Sequence, residues 1–218
     1  MGKSSASEEP SLLGSRIRSR AARLDSLTRE YCRFFSGFVR CPRVVGAVAP
    51  SSRLLATVMI PPVDLTKAET VVELGAGTGV VTRALRTHIG ANTRLVALEL
   101  HTQSAIRLQR KFHDVQVVGG SAEHLRQHLD RLGHGRADCI VSGLPWGSMA
   151  GDLQKRILDA VAESLKPGGA FSAMAYLHAS RFASARRFRF ELERRFDQVR
   201  ISRIVWANLP PAFVYYCR

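Results

Sequence analysis

Three alternating glycines between two carboxylates are the residues best suited to chemistry in this 218-residue chain. Glu73-Leu74-Gly75-Ala76-Gly77-Thr78-Gly79 follows a β-rich run and opens a helical pattern, the context in which a glycine-rich loop is brought against a nucleotide. A dinucleotide fingerprint, G-x-G-x-x-G, needs its third glycine where this chain has Val80, so the pattern here is G-x-G-x-G. Glu73 stands at the entry to the loop. A carboxylate there opposes a pyrophosphate and attracts an ammonium, so charge favours S-adenosylmethionine, with its methionine ammonium, over a dinucleotide. Glu99 ends the next β-rich run, twenty-two residues after Gly77, where a carboxylate can accept both hydroxyl hydrogens of a ribose. Past the third run, Gly120-Ser121-Ala122 stands where an adenine would be held.

The elements that must position these residues follow from hydrophobic period. Thr70–Leu74, Arg94–Leu98, Val115–Val118, Cys139–Val141 and Ala170–Tyr176 read as strands. Val80–His88, Thr102–Lys111 and Asp152–Leu165 read as helices, the last stopped by Pro167-Gly168-Gly169. A further helix carries Phe188, Leu192 and Phe196 on one face, and Val199–Trp206 and Ala212–Tyr216 read as terminal strands. Alternation at this spacing predicts an α/β fold: a single Rossmann-like domain with a mostly parallel twisted sheet, helices on both faces, and ligands at the carboxyl ends of the strands. The last strand is expected to be antiparallel.

Residues 44–218 are assigned to this domain, 1–10 to a disordered polar tail, and 11–43 to a basic amphipathic helical arm closed by Pro42. Within the arm Leu24, Leu27, Tyr31, Phe34, Phe35 and Phe38 recur at helical steps, with Arg29, Arg33 and Arg40 opposite. The earlier half is less clean, because Arg20 projects onto the apolar side with Leu13, Ile17 and Ala21 and must snorkel. That half is read as lying in a lipid interface, while the aromatic stripe of the later half also suits packing on the domain.

Charge supports an anionic partner, since 32 Lys+Arg against 18 Asp+Glu leave a net charge of +14. Nucleic acid and acidic phospholipid are the two usual candidates. Eight arginines and three acids between Arg181 and Arg203 form a second basic cluster. The 45% apolar fraction excludes wholesale disorder, and no uncharged stretch is long enough to span a bilayer. The first ten residues show neither a signal h-region nor a lipid-anchor motif. Cys32, Cys41, Cys139 and Cys217 are too far apart in sequence for a zinc ribbon or a redox pair, and are read as reduced thiols. His124 and His128 have helical metal-site spacing with no further ligand nearby, so they are read as an exposed helical face and no metal is proposed.

From Arg43 to the C-terminus the chain resembles the class I S-adenosylmethionine-dependent methyltransferases. Within them it resembles the bacterial phospholipid N-methyltransferases that act on phosphatidylethanolamine. The resemblance is carried by Gly46-Ala47-Val48-Ala49-Pro50-Ser51-Ser52, the Glu73–Gly79 loop, Ser142-Gly143-Leu144-Pro145, and Asn208-Leu209-Pro210-Pro211-Ala212-Phe213-Val214-Tyr215. The glycine loop is specific only to the superfamily; the other three segments together narrow it to the phospholipid branch or its relatives, the rRNA adenine dimethylases. The resemblance implies S-adenosylmethionine as cofactor, held by Glu73, Gly75, Gly77, Gly79, Glu99, Ser121 and Ser142, with Ser51 or Ser52 closing over it. Ser121 departs from the family's usual Asp, and Trp146 stands where the phospholipid branch often carries an aliphatic residue.

Two acceptors follow. A phospholipid head group and its methylated products are cations, for which aromatic faces are suitable partners, and Trp146, Tyr176 and Tyr215 are read as that aromatic set. The enzyme would then be cytoplasmic, held peripherally on the inner face of an anionic membrane. Adenine N6-methylation needs an acceptor for an exocyclic amine; Gly143 offers no side chain, although backbone carbonyls and a stacked Trp146 keep RNA open. An attacking amine must be neutral, which either apolar burial or a base such as His178 or Tyr176 would achieve. A degenerate methyltransferase fold acting only as a binding module is a third reading.

Overall fold

Every side chain of strand β1, Thr70–Leu74, is buried, as a strand covered by helices on both faces requires. The computed structural model describes residues 48–218, with side chains from Arg53 onward. The tail at 1–10, the arm at 11–43, Cys32 and Cys41 lie outside the described residues, as do the side chains of Ser51 and Ser52. Beyond β1, the chain runs through α1 (Val48–Met59, preceding β1), α2 (Val80–Arg86), β2 (Arg94–Glu99), α3 (Thr102–Lys111), β3 (Gln116–Gly119), α4 (Leu125–Arg131) and β4 (Ala137–Ser142). It continues through α5 (Gly151–Ser164), β5 (Leu165–Tyr176), α6 (Ala183–Glu193), β6 (Val199–Ile201) and β7 (Ala212–Cys217).

The seven strands form one sheet in the order β3-β2-β1-β4-β5-β7-β6. The pairings from β3 to β5 are parallel, and β7 runs antiparallel between β5 and β6, as the sequence predicts for the last strand. Strand order reverses at β1, which has β2 on one side and β4 on the other, so the crevice between the ends of β1 and β4 is the switch point where such sheets bind ligands. Alternating side chains divide the core. Val71, Cys139, Val141, Ala212 and Val214 pack with Met59 of α1, Leu85 of α2 and Leu108 of α3. Neighbouring residues of opposite parity, such as Ile140 and its partner Phe171, face the other side, where Trp146 meets both Phe171 and Phe188.

Three expectations need correction. Pro167-Gly168-Gly169 does not stop the helix; α5 ends at Ser164, and the three residues lie inside β5. Ala137 pairs with Leu165 and Cys139 with Ala170, so β5 bulges there, and Lys166 on the bulge pairs with both Glu69 and Asp138 at 2.8 Å. The predicted strand Val199–Trp206 is cut to Val199–Ile201. Ser202 Oγ accepts the Val214 amide at 3.0 Å, which puts a side chain into the ladder, and only the Val205–Ala212 bridge follows. His124 and His128 do not form an exposed face: His124 lies in a short 3-10 turn before α4, and His128 is buried. Among the described residues Cys139 and Cys217 are buried free thiols, and burial pushes each up to about 12.

Candidate active site

The glycine loop is fixed by main-chain bonds at the end of β2. The amides of Gly75 and Ala76 both donate to Leu98 O, at 2.9 and 3.2 Å. Gly75, Gly77 and Gly79 all have positive φ, at 76°, 52° and 79°, a region that β-branched and bulky side chains avoid. Packing adds a second constraint at two of them. A Cβ on Gly79 would lie 2.4 Å from Phe112 Cε2, and one on Gly75 would lie 2.9 Å from Leu144 Cδ2. Gly79 therefore lets the start of α2 press on α3, while Gly75 admits the loop that follows β4.

Glu99 closes the crevice. Its Oε2 accepts the Gly77 amide at 2.8 Å and its Oε1 accepts the His101 amide at 2.9 Å, and the residue is buried. Each carboxylate oxygen keeps a lone pair beyond these bonds, so the pair that tethers the loop still has capacity for two ribose hydroxyls. Lys111 Nζ donates to Thr78 O at 2.7 Å and secures the outside of the loop.

Glu73 lies beneath the loop on the α2 face, where it accepts a 2.6 Å bond from Thr82 Oγ1. Burial, with the nearby Glu99 charge adding to it and the Thr82 bonds opposing it, raises its carboxyl from 4.5 to about 7. A carboxyl so disposed is readily ionised by an approaching cation. The glycine path, the spare lone pairs of Glu99 and the buried carboxyl of Glu73 together fit S-adenosylmethionine, whose ribose Glu99 would hold and whose ammonium Glu73 would balance.

Ser121 does not present a free hydroxyl to an adenine. It caps the 3-10 turn Ala122–His124, where its Oγ accepts the Glu123 amide at 3.3 Å and donates to Glu123 Oε1 at 3.1 Å. The adjacent Gly120 has a structural reason invisible in the sequence, since a Cβ there would lie 2.6 Å from His128 Nε2. Burial holds His128 below its usual range, so a neutral ring backs this loop.

The region after β4 is where sequence and structure diverge most. Ser142 is fully buried, and its Oγ accepts Trp146 Nε1 at 3.0 Å and the Leu144 amide at 3.4 Å. Trp146 is only 1% exposed. Its ring stacks on Phe188 with centroids 4.4 Å apart and meets Phe171 edge-on, so the expected cation-facing role is corrected to that of a core side chain. Gln154 Nε2 ties the loop down as well, donating to Trp146 O at 2.5 Å and to Ser184 O at 3.1 Å.

Strand register separates the other two aromatics. Tyr176 pairs with Ala212 and Tyr215 with Ala173, which sends Tyr176 to the α1 side of the sheet and Tyr215 to the α6 side. Tyr215 is buried edge-on against Phe188 and Phe213. Tyr176 is half-buried at the carboxyl end of β5 with its ring 5.7 Å from that of exposed His178. The three aromatics therefore do not form one cage, and Tyr176 alone stays on the glycine-loop side. Burial raises the Tyr176 phenol above its ordinary 10, so at neutral pH it offers a hydroxyl and a ring face, not a base. Thr82, Lys111, His128 and Gln154 were not legible as site residues, for each acts through a partner eight or more positions away that only folding brings beside it.

Residues 71–169 match the family model of a methyltransferase domain. An ornithine lipid N-methyltransferase of Singulisphaera acidiphila is 31% identical over 193 residues, covering 87% of this chain and 96% of that protein. The mycinamicin-resistance protein MyrB of Micromonospora griseorubida is 46% identical over 97 residues, which span 44% of this chain and 28% of that one. Among solved structures, an O-methyltransferase from Bacillus cereus in complex with SAH has a TM-score of 0.60 at 15% identity, covering 88% of this chain and 90% of that one. Fibrillarin from Aeropyrum pernix with bound S-adenosyl-L-methionine has a TM-score of 0.58 at 14% identity, covering 77% and 76%. At these identities the two structures speak for the fold.

Proposed function

The chain belongs to the class I S-adenosylmethionine-dependent methyltransferases, with S-adenosylmethionine as its cofactor, and within that family we propose that it methylates the amino head group of a membrane lipid of the phosphatidylethanolamine type. The observation that carries this reading is the 31% identity to an ornithine lipid N-methyltransferase over nearly the whole of both chains. Both lipids present a primary amine beside a negatively charged group. The amine is the nucleophile.

Bound at the glycine loop, the cofactor supplies a methyl group already activated on a sulfonium. What remains for the chain is alignment and the exclusion of water. Gly75, Gly77 and Gly79 admit the cofactor, Glu99 orients its ribose, and Glu73 balances its ammonium. Tyr176 borders the acceptor side at the end of β5. Because its phenol stays protonated, loss of the amine proton falls to apolar burial of the amine or to His178.

Residues 44–218 carry the catalysis in this reading, and the arm at 11–43 holds the protein on the inner, anionic face of the cytoplasmic membrane. Arg16, Arg18, Arg20, Arg23, Arg29 and Arg33 would each add up to about 1 kcal/mol of attraction near a charged surface. Among the described residues no helix is long and apolar enough to cross a membrane.

The test is transfer of labelled methyl from S-adenosylmethionine with phosphatidylethanolamine vesicles, ornithine-lipid vesicles and unmodified rRNA offered side by side. Label in chloroform-soluble phosphatidylethanolamine is the expected result. Label in ornithine lipid alone moves the head group but keeps the lipid class. Label in RNA alone replaces the reading with adenine N6-methylation, and no transfer to any acceptor leaves a binding module.

A further inference from the structure

Large exposed apolar side chains are concentrated at one end of the described residues. Leu54 and Ile106 are exposed singly, but Phe182, Phe190, Ile201, Trp206 and Leu209 all fall in the last forty residues or so. Trp206 is 69% exposed, and Phe182 and Leu209 are each 55% exposed. Phe182 closes the 3-10 turn Leu177–Arg181 that follows β5. Trp206 and Leu209 lie in the link between β6 and β7. The Leu177 amide donates to Pro211 O at 2.9 Å, and Tyr176 pairs with Ala212. The two loops are thereby joined side by side at the carboxyl end of β5, where Tyr176 borders the crevice.

Their charge has one sign. Residues 177–190 and 201–211 contain Arg181, Arg186, Arg187, Arg189 and Arg203 and no Asp or Glu. All five arginines are exposed, and among the described residues Arg189 alone of them pairs with a carboxylate, that of Glu193 at 2.8 Å. Between α6 and the β6–β7 pair lies an open cleft of about 330 Å³ whose walls include Leu177, Ile201, Ile204 and Phe213 beside Arg186 and Arg189. Apolar tips set among exposed arginines match the layering of a bilayer interface, with acyl chains below and phosphates above. A tryptophan at the edge of such a patch is the residue that favours this depth.

We propose that Phe182, Trp206 and Leu209 form a membrane-docking surface on the folded domain, separate from the arm, which enters the interface of an anionic bilayer while Arg181, Arg186, Arg187 and Arg203 meet lipid phosphates. This face opens the end of β5 toward the bilayer. Its purpose rests on the lipid-methylating reading, but docking is measured without methyl transfer.

The chain holds two tryptophans; Trp146 is buried and Trp206 exposed, so a change in emission at a membrane reports on Trp206. The full chain is mixed with phosphatidylglycerol–phosphatidylcholine vesicles with and without brominated acyl chains. Trp206 emission is expected to shift to shorter wavelength, to become protected from acrylamide and to be quenched by the brominated chains, and Trp206→Phe should remove all three signals. Phe182→Ser with Leu209→Ser, which keeps Trp206 as reporter, should weaken vesicle affinity about ten-fold or more. S-adenosylhomocysteine affinity should be unchanged in that variant, which shows that the domain is folded.

Sedimentation with vesicles while Trp206 remains open to acrylamide and untouched by bromine would overturn the proposal, because the arm alone would then be docking. A Trp206 response to RNA but not to vesicles would overturn it equally. The two readings separate cleanly. Methyl transfer to detergent-dispersed lipid with Trp206 left in water removes the docking surface and keeps the lipid function; bilayer entry of Trp206 with label only in RNA does the reverse.

Discussion

The ends of β1 and β2 and the ends of β4 and β5 lie on the two sides of the same switch point, yet they are built differently. At the first, backbone and two carboxylates make the proposed cofactor site: three positive-φ glycines, amides tied to Leu98, and Glu99 bonded to Gly77. At the second, side chains decide, and Trp146 and Tyr215 turn into the core while Tyr176 stays at the rim. A cofactor common to a whole family can be held by main-chain geometry. The acceptor side is left to loops and side chains, which vary more freely.

The largest effect should come from the acceptor half and should be structural. Trp146→Ala removes a fully packed indole and the shorter of the two bonds that Ser142 Oγ accepts, so it is expected to cost about 3–5 kcal/mol of stability. Chemical denaturation measures this. A small change in stability accompanied by a large fall in kcat/KM would break the contrast, since Trp146 would then be touching substrate.

Gly77→Val tests the cofactor half from the backbone. A β-branched residue at φ 52° is strained by roughly 1–3 kcal/mol and places methyls on the cofactor's path. A loss of S-adenosylhomocysteine affinity of about 100-fold by calorimetry is expected. Glu99→Ala should weaken the same binding about 30-fold, as loss of a charged hydrogen-bond acceptor of about 2 kcal/mol implies. Unchanged affinity in both variants would move the cofactor away from this loop.

The smallest effect is a pH dependence carried by Glu73. With its carboxyl raised from 4.5 to about 7, the folded chain without cofactor holds a proton that the unfolded chain has released across that window. Its stability therefore falls as pH rises from about 4.5 to 7 and levels off above. A bound cation that favours the carboxylate reverses the balance, so affinity for a cofactor bearing the ammonium should rise about ten-fold between pH 6 and pH 8. Glu73→Gln is expected to flatten both profiles in thermal melts and in titration calorimetry. A profile that stays steep in this variant assigns the titration to another group.

Helix α3, Thr102–Lys111, was legible to the residue because its apolar period and its ends are local signals. Strand β5 was not, since its register shift opposite Ala137 and Cys139 exists only once β4 is beside it. The glycine loop was legible for a related reason: its pattern records what the backbone must do at that point. Ser121 was harder, for its hydroxyl is taken by its neighbour Glu123, a competition that composition does not reveal.

By itself the sequence determined the alternation of strands and helices, the parallel sheet, the loop from Glu73 to Gly79 and the place of Glu99, all of which follow from local period, turn chemistry and spacing. Tertiary structure alone decided which side chains share a face. A one-residue difference in strand parity sends neighbouring side chains to opposite sides of a sheet, so Tyr176 and Tyr215 part company although both read as aromatic strand residues. It also decided that Trp146 is held by Ser142 and Phe188. The Phe188 contact forms only when α6 is packed beside the loop that follows β4, and no spacing along the chain encodes the distance between them.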